Sequence, residues 1–303
     1  MILSPRAKLL WHGGRVEQWL SGGNPPPILV ELSPTAYCNA ACPWCFFANK
    51  HEKTHIHGTV MENSLVQLAL AGVKAVNWTG GGEPTLHPEF DQFTRVAYEN
   101  GLQQGLFTNA YNPIKHQERL SWIRISLTDK GFDPICIPDA PFGVCVNQTR
   151  DMALSESRKQ CISARDIGAS YFQVRPALTG NYLNQPKLFA PLELQEYRTD
   201  TFKVLMTQYK YEDAMKPHGY PLCYGGQFCP AIDWNGLLGW CMYRVGESGY
   251  TLGDLNKDDF ATIWERESYK RYPTDDGCQN CCKNHEINKV LSAAMGAEQQ
   301  NFL

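Results

Sequence analysis

The chain has 303 residues, 43% of them hydrophobic and 19% charged, so it can bury a sizeable core and is neither a fibre nor a disordered polymer. Lys and Arg total 28 against 31 Asp and Glu, a net charge of -3 that gives no electrostatic footprint for nucleic acid or an anionic membrane. No apolar run reaches the roughly 20 residues of a membrane span, and Arg6, Lys8, His12 and Arg15 interrupt the N-terminus, so a cytoplasmic protein without a targeting segment is expected.

Residues 1–27 read as an extension before the first strand. From residue 28 to 176, short β-type runs alternate with amphipathic stretches, and six strands are predicted at 28–32, 75–79, 105–108, 122–127, 144–147 and 171–175. The helix before the second strand carries Leu65, Leu68 and Ala69 on one face and stops at Gly72. The next carries Phe90, Phe93, Val96 and Ala97 and stops at Gly101, which can take the left-handed conformation of a helix end. A third helix is predicted over 152–167, closing at Gly168. The connection 128–142 holds Gly131, Pro134, Pro138 and Pro141, too many breakers for a full helix. Right-handed crossovers turn such a βα series into an open, curved parallel sheet, a partial (βα)6 barrel over 28–190. A helical linker (191–221, with its helix over 192–210), a small Cys-rich α+β domain (222–290) and a frayed tail (291–303) complete the expected α/β organisation. No internal repeat is visible.

Twelve cysteines in a chain that can support its own core point to metal in a reducing compartment more than to a disulfide framework. Directly after the first strand, Cys38, Cys42 and Cys45 form CxxxCxxC. Three thiolates on one loop can hold three irons of a four-iron, four-sulfur cluster and leave the fourth iron open. A zinc knuckle with a distant fourth ligand is the alternative. The second strand ends in Thr79, three glycines and Glu83-Pro84, a turn whose backbone can approach a ligand closely.

Together these two motifs resemble the radical S-adenosylmethionine (radical SAM) superfamily, over about residues 28–176. The resemblance implies that SAM chelates the open iron through its amino and carboxylate groups, that an electron from the reduced cluster splits the sulfonium, and that the 5′-deoxyadenosyl radical abstracts a substrate hydrogen. It further implies that Gly81, Gly82 and Glu83 receive the SAM amino group and that Trp44 lies beside adenine. Ser126, Asn147 and Arg175, at the ends of strands four to six, would contact ribose and carboxylate, or else simply cap strand ends.

The later cysteines, Cys223, Cys229, Cys241, Cys278, Cys281 and Cys282, with Gly236, the LGDL run at 252–255 and the IWE run at 263–265, resemble the SPASM/Twitch extension of that superfamily. No cysteine follows Cys282, so one auxiliary cluster is expected, on Cys223, Cys241, Cys278 and Cys281. Cys229 and Cys282 are left over. One of them could return a hydrogen atom to a substrate radical, as in relatives that invert stereocentres, or be a buried thiol or an exchanged ligand. Cys136, Cys145 and Cys161 read as packing. His51, Glu52 and His55 match HExxH, but in a loop without an apolar helical face, so a zinc protease is not expected.

The expected protein is a radical SAM enzyme that epimerises or oxidises a small polar metabolite of sugar or aminoglycoside type. Peptide-modifying members of the superfamily often carry a leader-binding domain, for which the 27 residues before the first strand are too few, so a ribosomal peptide is only the alternative substrate. The resemblance also implies an electron donor such as flavodoxin or ferredoxin. A non-catalytic zinc- or cluster-binding module is the rival from another class.

Overall fold

The computed structural model describes residues 5–47, 53–133, 135–149, 152–177, 193–206, 210, 218–267, 272–274, 278 and 284–297. Seven strands run parallel in sequence order: β1 (Leu29–Leu32), β2 (Ala75–Trp78), β3 (Gln103–Thr108), β4 (Trp122–Ser126), β5 (Phe142–Gln148), β6 (Tyr171–Pro176) and β7 (Lys203–Met206). Between them lie α3 (Gly58–Leu70), α4 (Phe90–Glu99) and α5 (Leu154–Asp166), preceded in the chain by α1 (Pro5–Leu9) and α2 (Gly13–Leu20). The predicted helices and their buried faces are present: Leu65 and Leu68 on α3, Phe93 and Ala97 on α4, and Cys161 on α5 are fully buried in one core with Val76, Leu106, Ile125, Val144 and Phe172. Gly72 and Gly101 follow their helices with φ of 89° and 75°, the conformation that ends a helix without a Cβ penalty. No helix is present among the described residues of the connection from 127 to 141.

Two expectations are corrected. The described part of the stretch predicted as a helix, 193–206, forms no α-helix: a short turn at Gln195–Tyr197 leads to β7, which adds a seventh parallel strand to β6. The Thr199 hydroxyl accepts from Phe202 N (3.0 Å) and Thr199 N donates to Phe202 O (2.9 Å), so a side chain competes for the backbone where a helix would have to continue. Nor is 291–303 all frayed tail. A helix covers His285–Met295, with Leu291 fully buried against Leu9, Trp19, Tyr224 and Phe228. The N-terminal extension is therefore docked, and Arg6 Nη2 donates to Glu286 Oε1 (3.0 Å).

The Cys-rich region joins the same sheet. β8 (Leu222–Cys223) precedes β9 (Ala231–Ile232), which pairs in parallel with the free edge of β1, and β10 (Leu237–Gly239) and β11 (Thr251–Asp254) follow antiparallel. Then come α6 (Phe260–Glu267), β12 (Tyr272–Pro273), which pairs with β8, and α7, the helix His285–Met295 already described. Ten strands thus form one sheet among the described residues, in the order β11-β10-β9-β1-β2-β3-β4-β5-β6-β7. No helix among the described residues is long and apolar enough to cross a membrane.

Candidate functional site

Past Leu32 the chain turns across the C-terminal edge of the sheet. Ala36 N donates to Thr54 O (3.0 Å) and Ile56 N to Pro34 O (3.0 Å), which holds the start of the cysteine loop against a returning segment. His55 belongs to that segment: its ring stacks on Tyr37, with 4.5 Å between centroids, and burial lowers its pKa. Its partner in the HExxH match, His51, lies outside the described residues. Cys45 N donates to Cys42 O (3.0 Å), a turn that suits the intervening Pro43. Exposed Cys38 and half-buried Cys42 and Cys45 form no disulfide among the described residues, and Cys45 lies close enough to Cys38 and Cys42 to oppose their ionisation.

Burial raises the pKa of Cys38 and pushes Cys42 to about 11, and the neighbouring thiols add to this. Amide N–H groups of Ala40 and Asn39 at Cys38, and of Asp129 at Cys42, act in the opposite direction. Such donors stabilise a thiolate once a metal has displaced its proton. Among the described residues no three His, Cys, Asp or Glu side chains converge on the position of a single ion. An all-thiol triangle with backbone donors aimed at the sulfurs suits an iron–sulfur cluster, which bonds each thiolate to a different iron.

The glycine turn after β2 lies against this loop. Glu83 N donates to Tyr37 O (2.8 Å), and Gly81 N to Ser33 Oγ (2.8 Å). A Cβ on Gly82 would run into the Tyr37 carbonyl and the backbone of residues 35 and 36, and one on Gly81 into the Trp234 ring. Glu83, 4% exposed, is occupied within the protein. Its Oε1 accepts from Thr108 Oγ1 (2.7 Å), Thr85 Oγ1 (2.8 Å) and Thr85 N (3.2 Å), and its Oε2 from Asn109 N (2.7 Å). Burial raises its pKa against the pull of these four bonds. Asn109 Nδ2 in turn donates to Asn39 Oδ1 (2.7 Å), inside the cysteine loop. Sequence reasoning missed Thr108 and Asn109; polar residues closing β3 were the available signal.

The face of the sheet turned away from the helices lines a lumen. Ser126 registers with Cys145, and Asn147 with Arg175, so these residues share that face towards the C-terminal ends of β4, β5 and β6. Deeper, Gly105 and Gly143 leave room for the rings of Trp122 and Tyr171, each of which lies over the glycine of a neighbouring strand. Arg124 and Gln173 stand between these levels and were not predicted from the sequence. Trp44 is half-buried on the Cys42–Cys45 turn.

The C-terminal region adds to the site. Trp234, between β9 and β10, packs on Gly81 and meets Phe47 edge-on (6.2 Å), while Tyr243 meets Phe46 in the same way (5.0 Å). Of the later cysteines, Cys223 is buried on β8 and its Sγ accepts from Asn288 Nδ2 of α7 (3.4 Å), whose Oδ1 accepts from Tyr224 N (2.7 Å). Cys241 is half-buried at the start of the Met242–Arg244 turn, and the Cys278 carbonyl accepts from His218 Nε2 (3.0 Å). Cys229 is buried between Phe228 and Pro230, whose carbonyls accept from Leu29 N (3.2 Å) and Glu31 N (3.0 Å), level with the beginning of β1. Cys281 and Cys282 lie outside the described residues.

Residues 223–283 match the SPASM family, an iron–sulfur cluster-binding domain. No curated protein sequence matches the chain. Among solved structures, Streptococcus suis SuiB bound to S-adenosylmethionine is similar over 87% of this chain and 72% of its own, with 18% identity and a TM-score of 0.59. The same protein bound to precursor peptide SuiA gives 87%, 70%, 19% and 0.58. Native anSMEcpe with bound AdoMet and Kp18Cys peptide is similar over 91% of this chain and 85% of its own, at 14% identity and a TM-score of 0.56. At such identities the likeness is one of fold. The shared architecture is a partial parallel βα barrel, and the C-terminal residues 223–283 match the SPASM domain.

Proposed function

We propose that the chain is a radical SAM enzyme in which Cys38, Cys42 and Cys45 hold a four-iron, four-sulfur cluster, and the turn Gly81-Gly82-Glu83 with Trp44, Ser126, Asn147 and Arg175 receives S-adenosylmethionine. When bound, these groups supply reductive cleavage of the sulfonium and a 5′-deoxyadenosyl radical that takes a hydrogen atom from the substrate. The observation that carries this reading is the bonding of the two motifs to each other at the C-terminal edge of the sheet: Glu83 N to Tyr37 O and, through Asn109, Glu83 to Asn39. Functional groups gather at that edge in parallel βα folds.

The chain's own residues have distinct parts in the proposal. Glu83 fixes the glycine turn to β3, Gly82 allows the turn to touch the cysteine loop, and Trp234 covers Gly81 from the auxiliary side. The SPASM match supports an auxiliary cluster, for which Cys223, Cys241, Cys278 and Cys281 are the proposed ligands. Anaerobic reconstitution, then dithionite and SAM, tests the proposal: 5′-deoxyadenosine is expected, whereas stoichiometric zinc without cleavage would remove it. A count of about eight irons per chain supports one auxiliary cluster, since each four-iron cluster adds four. About twelve would refute that part alone.

Hydrogen abstraction can end in oxidation, with the auxiliary cluster accepting an electron, or in epimerisation, with a thiol returning hydrogen. For the second outcome Cys229 and Cys282 are the proposed donors. Turnover in deuterium oxide separates the two: label gained by the product and lost on replacing one cysteine marks a thiol donor, and a product two hydrogens lighter marks oxidation. SuiB with SuiA and anSMEcpe with Kp18Cys are complexes with peptides, which supports a peptide substrate here. A small polar metabolite is the second reading, and trials of both classes in the deuterium assay decide between them.

A further inference from the structure

The lumen holds a cation that the cofactor end of the site does not use. Arg124 lies in the middle of β4, two residues before Ser126 and about 7 Å deeper along the strand. Its guanidinium covers the Phe107 ring, with Cζ 3.9 Å from the centroid, and Nη1 donates to Gln173 Oε1 (3.1 Å). Its Nε is shielded from solvent and has no hydrogen-bond partner among the described residues. Burial lowers the pKa of Arg124 to about 10, and the next largest influence is Arg175, a like charge. Cys145, Tyr171 and Tyr243 also act on it. Among the described strands the nearest carboxylate by register on this face, Glu31, is on β1, three strands or about 14 Å away.

An arginine is seldom withdrawn from solvent without a carboxylate or phosphate on its fork. Phe107 and Gln173 hold the fork of Arg124 in one pose, with donors left over. That is costly for folding and suited to receiving an oxyanion.

We propose that Arg124, with Gln173 beside it, is an anion subsite that receives a carboxylate or phosphate group of the substrate inside the barrel. This rests on the reading of the lumen as the substrate chamber, and it deepens that reading: an acidic or phosphorylated substrate is selected and a polycation of aminoglycoside type is disfavoured. The subsite lies deeper than Ser126, Asn147 and Arg175, which leaves the sheet edge to SAM.

The test is thermal unfolding of the anaerobically purified full chain with glutarate, inorganic phosphate or chloride at matched ionic strength. Glutarate or phosphate is expected to raise the melting temperature where chloride does not, and the stronger of the two identifies the group. Arg124→Gln is expected to weaken this protection about tenfold or more, since a charge-assisted hydrogen bond is lost. If Arg124→Gln does not fold, Arg124→Lys serves, retaining the charge but losing the fork, with weaker protection expected. Equal protection of the variant and the unaltered chain, protection by chloride alone, or no protection of the unaltered chain would overturn the subsite. So would abolition of the protection by SAM alone, which would assign the anion site to the cofactor. None of these readings depends on SAM cleavage, so failure of the enzyme assay is a separate result.

Discussion

A methyl group at position 82 would meet the Tyr37 carbonyl oxygen head-on, so the contact between glycine turn and cysteine loop exists only for glycine. Gly82→Ala is expected to cost about 1–3 kcal/mol, the range for forced overpacking, and to lower the iron bound by the Cys38 loop while leaving the auxiliary region loaded. Denaturant unfolding and iron counting check the two parts. Glu83 gives a second residue-scale test. Its carboxylate accepts four hydrogen bonds, and glutamine would set an amide N–H₂ against one of their donors. Glu83→Gln is therefore expected to destabilise by about 1–3 kcal/mol, measured by the same unfolding, and Thr108→Val by a similar amount, because it removes one donor to Glu83 and leaves Ala110 N without its acceptor.

At the scale of elements, the β9–β10 connection and α7 each carry one side chain that ties the auxiliary region to something else. Trp234 is 3% exposed and fills the space above Gly81. Trp234→Ala is expected to cost about 3–5 kcal/mol, and Trp234→Phe clearly less, because most of the cavity is then refilled. Asn288 of α7, 1% exposed, bonds both Tyr224 N and Cys223 Sγ. Asn288→Leu leaves a buried N–H unpaired, so a loss of about 1–3 kcal/mol is expected, together with a shifted reduction potential of the auxiliary cluster proposed at Cys223, read by redox titration. An unchanged potential would detach Asn288 from that cluster. β7 shows why one element escaped sequence reading: leucine and tyrosine spacing in 192–210 fits a helix, but Thr199 turns the chain and the open edge of β6 supplies the pairing.

For the whole molecule, the parallel pairing of β9 with β1 makes one sheet of what the sequence divides into a barrel and a Cys-rich domain. Ending the chain near residue 206 would bare the β1 edge and uncover Gly81, so insoluble protein is expected rather than a free-standing barrel; solubility and circular dichroism of that truncation check this. The sequence by itself determined the alternation of strands and helices, the cysteine spacing and the glycine turn, because periodicity and motif spacing are local properties of the chain. Only the tertiary structure decided that Thr108 and Asn109 brace Glu83, that Arg124 and Gln173 meet in the lumen, and that Trp234 reaches back over Gly81. Those contacts join residues far apart in the chain. They depend on strand register and on how the sheet's two faces are assigned, which no single segment encodes.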